Sequence, residues 1–347
     1  MVIRAFITHK QAEQFADCQD RFGVNTDTKS IAVSDGMGST WHQKIWAQLL
    51  VETYTNSRDW NPSKESITPL CQEWRAKVSE FIQNLKDTNA PENMIFRNER
   101  NFAEGRSAGA TFVGIRLDGN KWNGVVLGDS CLIEWEGNEA KFNTSQDTDA
   151  FDSYPDYFDS NPLKDGKGTP KSIEGTLTDD TKLLLVSDPF SEFLLEHSKQ
   201  GNIAKYVQQL LSLASHDDFE ALVDDWRKQG MHNDDTTLVI VERDEKVELS
   251  ISHLDKIDEL KEEESRRIKE LAETQTKTED IAKSNPSSPK ESFSPSDDEK
   301  DFITDIREWL YQSLKTCIGT KKAKIFLKRF FNSFTSKITQ RYKITKR

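Results

Sequence analysis

The sequence predicts an α+β fold in which antiparallel β-sheet is covered by helices over residues 1–245, with a helical appendage at the C-terminus. Three observations carry that reading. Short apolar and β-branched runs come in adjacent groups, whereas a doubly wound parallel sheet would alternate them strictly with helices. Segments with apolar residues at helical spacing separate those groups. Past Val247 the composition turns almost wholly charged, then rich in Ser and Pro.

In chain order, strands are predicted at Ile3–His9, Ser30–Ser34, Ala110–Leu117, Trp122–Leu127, Cys131–Trp135, Lys182–Ser187 and Thr237–Glu242. Asp118-Gly119-Asn120 marks a hairpin turn between two of them. Helices are predicted around Ile45, Trp46, Leu49 and Leu50, around Trp74, Val78, Phe81, Ile82 and Leu85, and across Ile203–Leu213 and Phe219–Trp226. Phe142–Gly175 is polar, carries Pro155, Pro162 and Pro170, lacks periodicity, and reads as a long functional loop. Beyond the body, residues 246–275 read as a charged, solvated helix, 276–300 as a disordered linker and 301–347 as a basic amphipathic helical tail.

Composition narrows the function. Of the 347 residues 35% are hydrophobic and 31% charged, and eight Trp with nineteen Phe suffice for a core. The net charge of −12 is uneven: residues 302–347 hold twelve Lys and Arg against Asp305 and Glu308, a net of +10 that leaves −22 on residues 1–301. An acidic body repels nucleic acid, so no nucleic-acid substrate is expected, and it attracts divalent cations. Cys18, Cys71, Cys131 and Cys317 form no CxxC pair, which gives neither a zinc knuckle nor a disulfide framework. The opening MVIRAFITHK has no basic and then apolar leader, and no stretch reaches the roughly 18 apolar residues of a membrane span. A cytoplasmic protein is the expectation.

The chemistry concentrates in separated aspartate motifs. Gln19-Asp20 comes first, then Ser34-Asp35-Gly36-Met37-Gly38 at the end of a strand-like run. Leu183–Val186 runs into Ser187-Asp188, and Asn233-Asp234-Asp235 opens the last strand. Hard ions such as Mg²⁺ and Mn²⁺ take oxygen ligands, and carboxylates from several strand ends can assemble a two-metal site for phosphoester hydrolysis. Gly36 lets its carbonyl approach an ion. Taken singly, Asp20 or Asp129 reads as a turn or cap residue.

The order Gln19-Asp20, Asp35-Gly36-Met37-Gly38, Ser107-Ala108-Gly109-Ala110-Thr111, Gly128-Asp129-Ser130, Ser187-Asp188, Asp234-Asp235-Thr236-Thr237 resembles that of the PPM, or type 2C, metal-dependent Ser/Thr protein phosphatases in a bacterial-like form. The resemblance spans about residues 1–243 and implies a central β-sandwich flanked by helices on both sides, four layers in all, with metals at one edge. It implies Asp35 bridging two Mn²⁺ or Mg²⁺ ions, Gly36 offering its carbonyl, Asp188 and Asp234 completing the second position, Asp20 acting through water, and Asp129 with Asp188 holding a weaker third ion. Asp35, Asp188 and Asp234 are then the catalytic set.

The chain departs from that pattern at four places. Phe15 stands about where eukaryotic members carry a phosphate-binding Arg, which leaves the phosphate-binding residue unassigned among Arg21, Arg4 and Lys10. Met37 replaces a His, as in the bacterial members. Pro189 replaces a Gly, and Cys131 an Arg. His232 reads as a solvated loop residue beside the fourth motif, with proton donation as the alternative. The function expected is hydrolysis of phosphoserine or phosphothreonine in a phosphoprotein, alongside a cognate Ser/Thr kinase. The alternative is a pseudo-phosphatase or scaffold that binds a kinase or phosphoprotein without turnover. The tail, with Ile303, Ile306, Trp309, Leu310 and Leu314 and then Ile325, Phe326, Phe330, Phe331 and Phe334 among Lys and Arg, is expected to dock a protein partner or an anionic surface, with nucleic acid as a further alternative, or to fold back on the acidic body.

Overall fold

In the computed structural model, which describes residues 1–146, 155–164, 166–243, 250–252 and 266, the chain runs as follows. Strands β1 (Val2–Thr8), β2 (Arg21–Asn25) and β3 (Ser30–Ser34) lead into helices α1 (Gln43–Asn56), α2 (Thr68–Asp87) and α3 (Glu92–Ala103). Strands β4 (Gly109–Ala110), β5 (Phe112–Asp118), β6 (Lys121–Leu127), β7 (Cys131–Glu136), β8 (Glu139–Asn143), β9 (Phe158–Asp159), β10 (Lys171–Thr176) and β11 (Thr181–Val186) follow. Helices α4 (Asp188–Lys199), α5 (Ile203–Leu211) and α6 (His216–Lys228) precede β12 (Thr236–Glu242) and β13 (Ser250–Ser252).

Two large sheets result, ordered β13-β1-β12-β11-β7-β8 and β10-β6-β5-β3-β2, with β4 and β9 forming a small two-stranded sheet of their own. All their pairings are antiparallel except β13 with β1. The predicted class, α+β with a sandwich flanked by helices on both sides, is what the strand alternation builds. In β11, Leu183 and Leu185 enter the layer between the sheets, while Leu184 and Val186 face the layer under α4, α5 and α6. Val239 and Val241 of β12 point inward in the same way, and Leu238 and Ile240 outward. Such strands are buried on both faces, which is why they read as unbroken apolar runs. A third apolar layer joins α1 and α2 to the other sheet through Trp46, Leu50, Tyr54, Trp74 and Phe112.

Several expectations change. The stretch Phe142–Gly175 carries β9 and the edge strand β10, whose register with β6 runs from Lys171↔Val126 to Thr176↔Lys121. Only Ile173 of β10 is fully buried, so an edge strand with polar outward positions shows little apolar pattern. The segment assigned to a charged helix begins with a strand: Ser250–Ser252 pair with Val2–Arg4 along the open edge of β1, so the sheet passes the boundary at 245. Strand β2, held at its middle by close packing of Gly23 on Val51, and helices α3 and α4 are further elements. The rest of the expected charged helix, the linker 276–300 and the tail 301–347 lie outside the described residues, apart from residue 266. Cys18, Cys71 and Cys131 are free and buried. Among the described residues no helix is long and apolar enough to cross a membrane.

Trp226 anchors the outer helical layer, fully buried against Phe190, Phe193 and Tyr206. Trp226→Ala should cost about 3–5 kcal/mol in urea unfolding, the range for deleting a large buried aromatic. A loss below about 1 kcal/mol would contradict this packing.

Candidate metal centre

The register of the two sheets brings the aspartates together. Arg21 pairs with Ser34, so Asp20, just before β2, and Asp35, just after β3, stand side by side at one end of their sheet. In the facing sheet Val186 pairs with Leu238, so the chain leaving β11 toward Asp188 runs beside the start of β12, next to Asp234 and Asp235. Asp129 lies in the short link from β6 to β7 at the same end. The five carboxyls sense one another: that of Asp188 is raised well above the usual range by burial and then by Asp35, Asp129, Asp234 and Asp20. Burial, Asp129 and Asp234 push Asp35 up to about 8. Burial moves Asp129 to about 7, with Glu192 and Asp20 adding to it. Asp20 is raised well above the ordinary value by burial, Asp35 and Asp235.

Hydroxyls fix this edge. Thr237 Oγ1 donates to Asp20 Oδ2 at 2.7 Å, joining the two sheets. Ser187 Oγ accepts from Thr237 N at 2.9 Å, and Ser187 N donates to Thr237 O at 3.2 Å. Ser34 Oγ donates to Thr111 O at 2.6 Å, Thr111 N donates to Asp35 O at 2.9 Å, and the hydroxyls of Thr111 and Ser130 share a bond of 2.6 Å. Two glycines permit the approach. A Cβ at Gly36 would stand 3.1 Å from Gln19 O and 3.0 Å from Gln43 Cγ, and Gly128, at φ +94°, would meet Asp156 O at 2.5 Å.

The basic candidates separate clearly. Arg4 donates to the carbonyls of Leu211 and Leu213 and pairs with Glu242, far from the carboxyl edge. Arg21 donates to the carbonyls of Cys18 and Asp20, which it braces from behind. Lys10 reaches the edge, its Nζ 2.9 Å from Asp234 Oδ1. Phe15 packs with Ile7, Cys18 and Phe22. Pro189 sits in the first turn of α4, where its missing N–H costs nothing, and Cys131 is buried with its Sγ 3.3 Å from Asn143 O.

Two acidic residues join the predicted set. Glu192 follows Asp188 by one helical turn on α4; burial raises it, His232 lowers it, and Asp234 raises it. Its signal was the i, i+4 spacing from Asp188, visible only once α4 is recognised. Asp235, 1% exposed, accepts from Lys10 N at 3.0 Å and Gln19 N at 2.7 Å, clamping the segment that carries Asp20. His232 is exposed, in keeping with a solvated loop residue.

Oδ1 of Asp20 and Oδ1 of Asp129 are buried with no hydrogen-bond partner among the described residues. Orphaned carboxylate oxygens beside mutually repelling carboxyls fit a cation, and a donor set of carboxylates plus the Gly36 carbonyl fits a hard one. Among the described residues no three His, Cys, Asp or Glu side chains form a ready cage. An ion here would draw on water and backbone for the rest of its shell, as Mg²⁺ characteristically does.

Because the folded chain binds more protons than the unfolded one, whose Asp titrates at about 3.9, this edge favours folding at low pH and loses that contribution as pH rises through about 7 to 8. In EDTA the melting temperature should therefore fall between pH 5.5 and 8.5. Mn²⁺ should flatten the profile, and Asp35→Asn should raise the melting temperature in EDTA. A flat or rising profile without metal would count against the clustered carboxyls.

Comparison with known proteins bears on the same region. The catalytic domain of the serine/threonine phosphatase PstP, solved in complex with two manganese ions, is similar at 17% identity and a TM-score of 0.39, covering 69% of this chain and 96% of that one. The S. agalactiae serine/threonine phosphatase is similar at 12% identity and 0.43, covering 70% and 99%. Stp1 from Staphylococcus aureus is similar at 11% and 0.45, covering 70% and 94%. No curated protein matches the chain. The family model for protein phosphatase 2C matches residues 9–246, so the chain belongs to the protein phosphatase 2C family.

Proposed function

We propose that the chain hydrolyses phosphoserine and phosphothreonine in protein substrates with hard divalent ions, Mn²⁺ or Mg²⁺. The observation that carries this reading is the convergence of Asp20, Asp35, Asp129, Asp188 and Asp234 on one edge with two buried carboxylate oxygens unpartnered. Asp35 with the Gly36 carbonyl, Asp188 and Asp234 would hold two ions, and Asp129 with Asp188 a weaker third. Bound there, the ions supply Lewis-acid activation of water and neutralise phosphoryl charge. The chain contributes no nucleophile of its own in this reading: the hydroxyls of Ser34, Ser130 and Ser187 are all engaged in the bonds that fix the edge. Direct attack by water follows, with Asp35, Asp188 and Asp234 as the catalytic set.

The second reading, a scaffold that binds a kinase or phosphoprotein without turnover, draws on one observation. Phe15 is packed into an apolar cluster, so no guanidinium reaches the edge from that position. A cytoplasmic enzyme opposing a Ser/Thr kinase is the setting we propose, with the basic tail docking a partner or an anionic surface. In this reading the catalytic unit includes β13, which pairs with β1 along the sheet edge.

The full chain should hydrolyse a phosphothreonine peptide and a small aryl phosphate only with added Mn²⁺ or Mg²⁺. Asp35→Asn, Asp188→Asn and Asp234→Asn should each lower kcat/KM at least about a hundredfold, the equivalent of the several kcal/mol that such ions supply. A chain ending at Ser252 should keep the aryl phosphatase activity. Metal binding with no turnover on either substrate would favour the scaffold, and full activity in excess EDTA would sink the metal reading.

A further inference from the structure

We infer that Lys10 is the residue that holds the phosphoryl oxygens of the substrate, an inference that rests on the phosphatase reading. A phosphate dianion entering this edge meets the carboxyls of Asp20, Asp35, Asp129, Asp188 and Asp234, with Glu192 beside them. Ions would neutralise part of that field, but orienting a tetrahedral group calls for a directional cationic donor at the mouth.

The described basic groups near this edge are committed elsewhere with one exception. Arg21 is spent on the carbonyls of Cys18 and Asp20. Arg227, 6% exposed, donates to the carbonyls of His9 and Asp234 beneath the site. Lys44 donates to Ala16 O. Lys10 alone spans the opening. Its backbone N–H is fixed to Asp235 Oδ1 at 3.0 Å, and its Nζ lies 2.9 Å from Asp234 Oδ1. On the other side Nζ lies 4.0 Å from the place a Cβ would take on Gly38, in the turn that follows Asp35. The ammonium therefore sits between the two walls that carry Asp234 and Asp35. It offers three donors, and Asp234 occupies one of them, so a phosphoryl oxygen arriving over Asp35 finds the others. The absent Gly38 side chain keeps that approach open. A lysine at position 10 thus performs from β1's end what Phe15, packed against Ile7 and Cys18, cannot.

The test uses the full-length chain loaded with Mn²⁺, with orthophosphate as the probe. Its Kd is measured by calorimetry and the Mn²⁺ Kd by electron paramagnetic resonance, for the native chain, Lys10→Met and Lys10→Arg. Lys10→Met should weaken orthophosphate binding about ten- to a hundredfold, the loss of one charge-assisted hydrogen bond, and raise KM more than it lowers kcat. Mn²⁺ affinity should hold or tighten, since Asp234 loses a competing cation, and Lys10→Arg should restore most of the phosphate affinity. Orthophosphate affinity unchanged in Lys10→Met, or phosphate and Mn²⁺ affinities falling in parallel, would overturn the assignment. Because orthophosphate binding needs no turnover, a native chain that binds Mn²⁺ and orthophosphate yet hydrolyses nothing would end the enzyme reading and leave the role of Lys10 intact.

Discussion

Mutual repulsion among the carboxyls of Asp20, Asp35, Asp129, Asp188 and Asp234 is the constraint on which this structure turns. Asp20, Asp35, Asp129 and Asp188 are drawn out of water at one edge of the sandwich, and each is raised by burial and in part by its acidic neighbours. No fold gathers such a set for stability, since every ionised member makes the next harder to ionise. The cost is tolerable because a cation can discharge it. The nearest fixed cation, Lys10 on Asp234, meets only one of the five.

Holding that edge against its own repulsion takes the rest of the architecture. Burial of β11 and β12 on both faces fixes their register, and that register sets where Asp188 and Asp234 emerge. The Thr237 to Asp20 bond then ties the ends of the two sheets, and Asp235 clamps the chain before Asp20 through two backbone N–H groups. The hydroxyls of Ser34 and Ser187 satisfy backbone groups that strand ends leave open, and those of Thr111 and Ser130 bond each other. Serines conspicuous beside aspartates are here part of the frame. Gly36 and Gly128 are needed because the chain passes too close to its neighbours there for a Cβ.

What the sequence revealed follows from which signals are local. Strands buried on both faces print apolar runs, so β3, β11 and β12 and the aspartates at their ends were legible, as was the layering through the family resemblance. Helix α3 left no such trace because none of its residues is buried. Helix α4 was hidden by Pro189, which read as a departure from a motif, when a proline in the first turn is itself a helix-start signal. Without α4, Glu192 could not be placed on the face of Asp188. Lys10 was one of three basic candidates, and only long-range geometry separates it from Arg4 and Arg21, whose partners lie far along the chain or behind the site. The edge strands β2, β10 and β13 pair through backbone groups, which side-chain patterns barely report.

The most direct measurement of the central claim is the number of protons released when Mn²⁺ binds the metal-stripped chain, obtained by calorimetry in buffers of different ionisation enthalpy. Carboxyls held near 7 to 8 by burial and by their acidic neighbours are partly protonated at neutral pH and must give up those protons to an ion. Net proton release at pH 7 that fades by pH 9, and that shrinks in Asp35→Asn, is the expected result. Mn²⁺ binding without proton release, equal in strength across that range, would contradict a centre built from mutually repelling carboxyls.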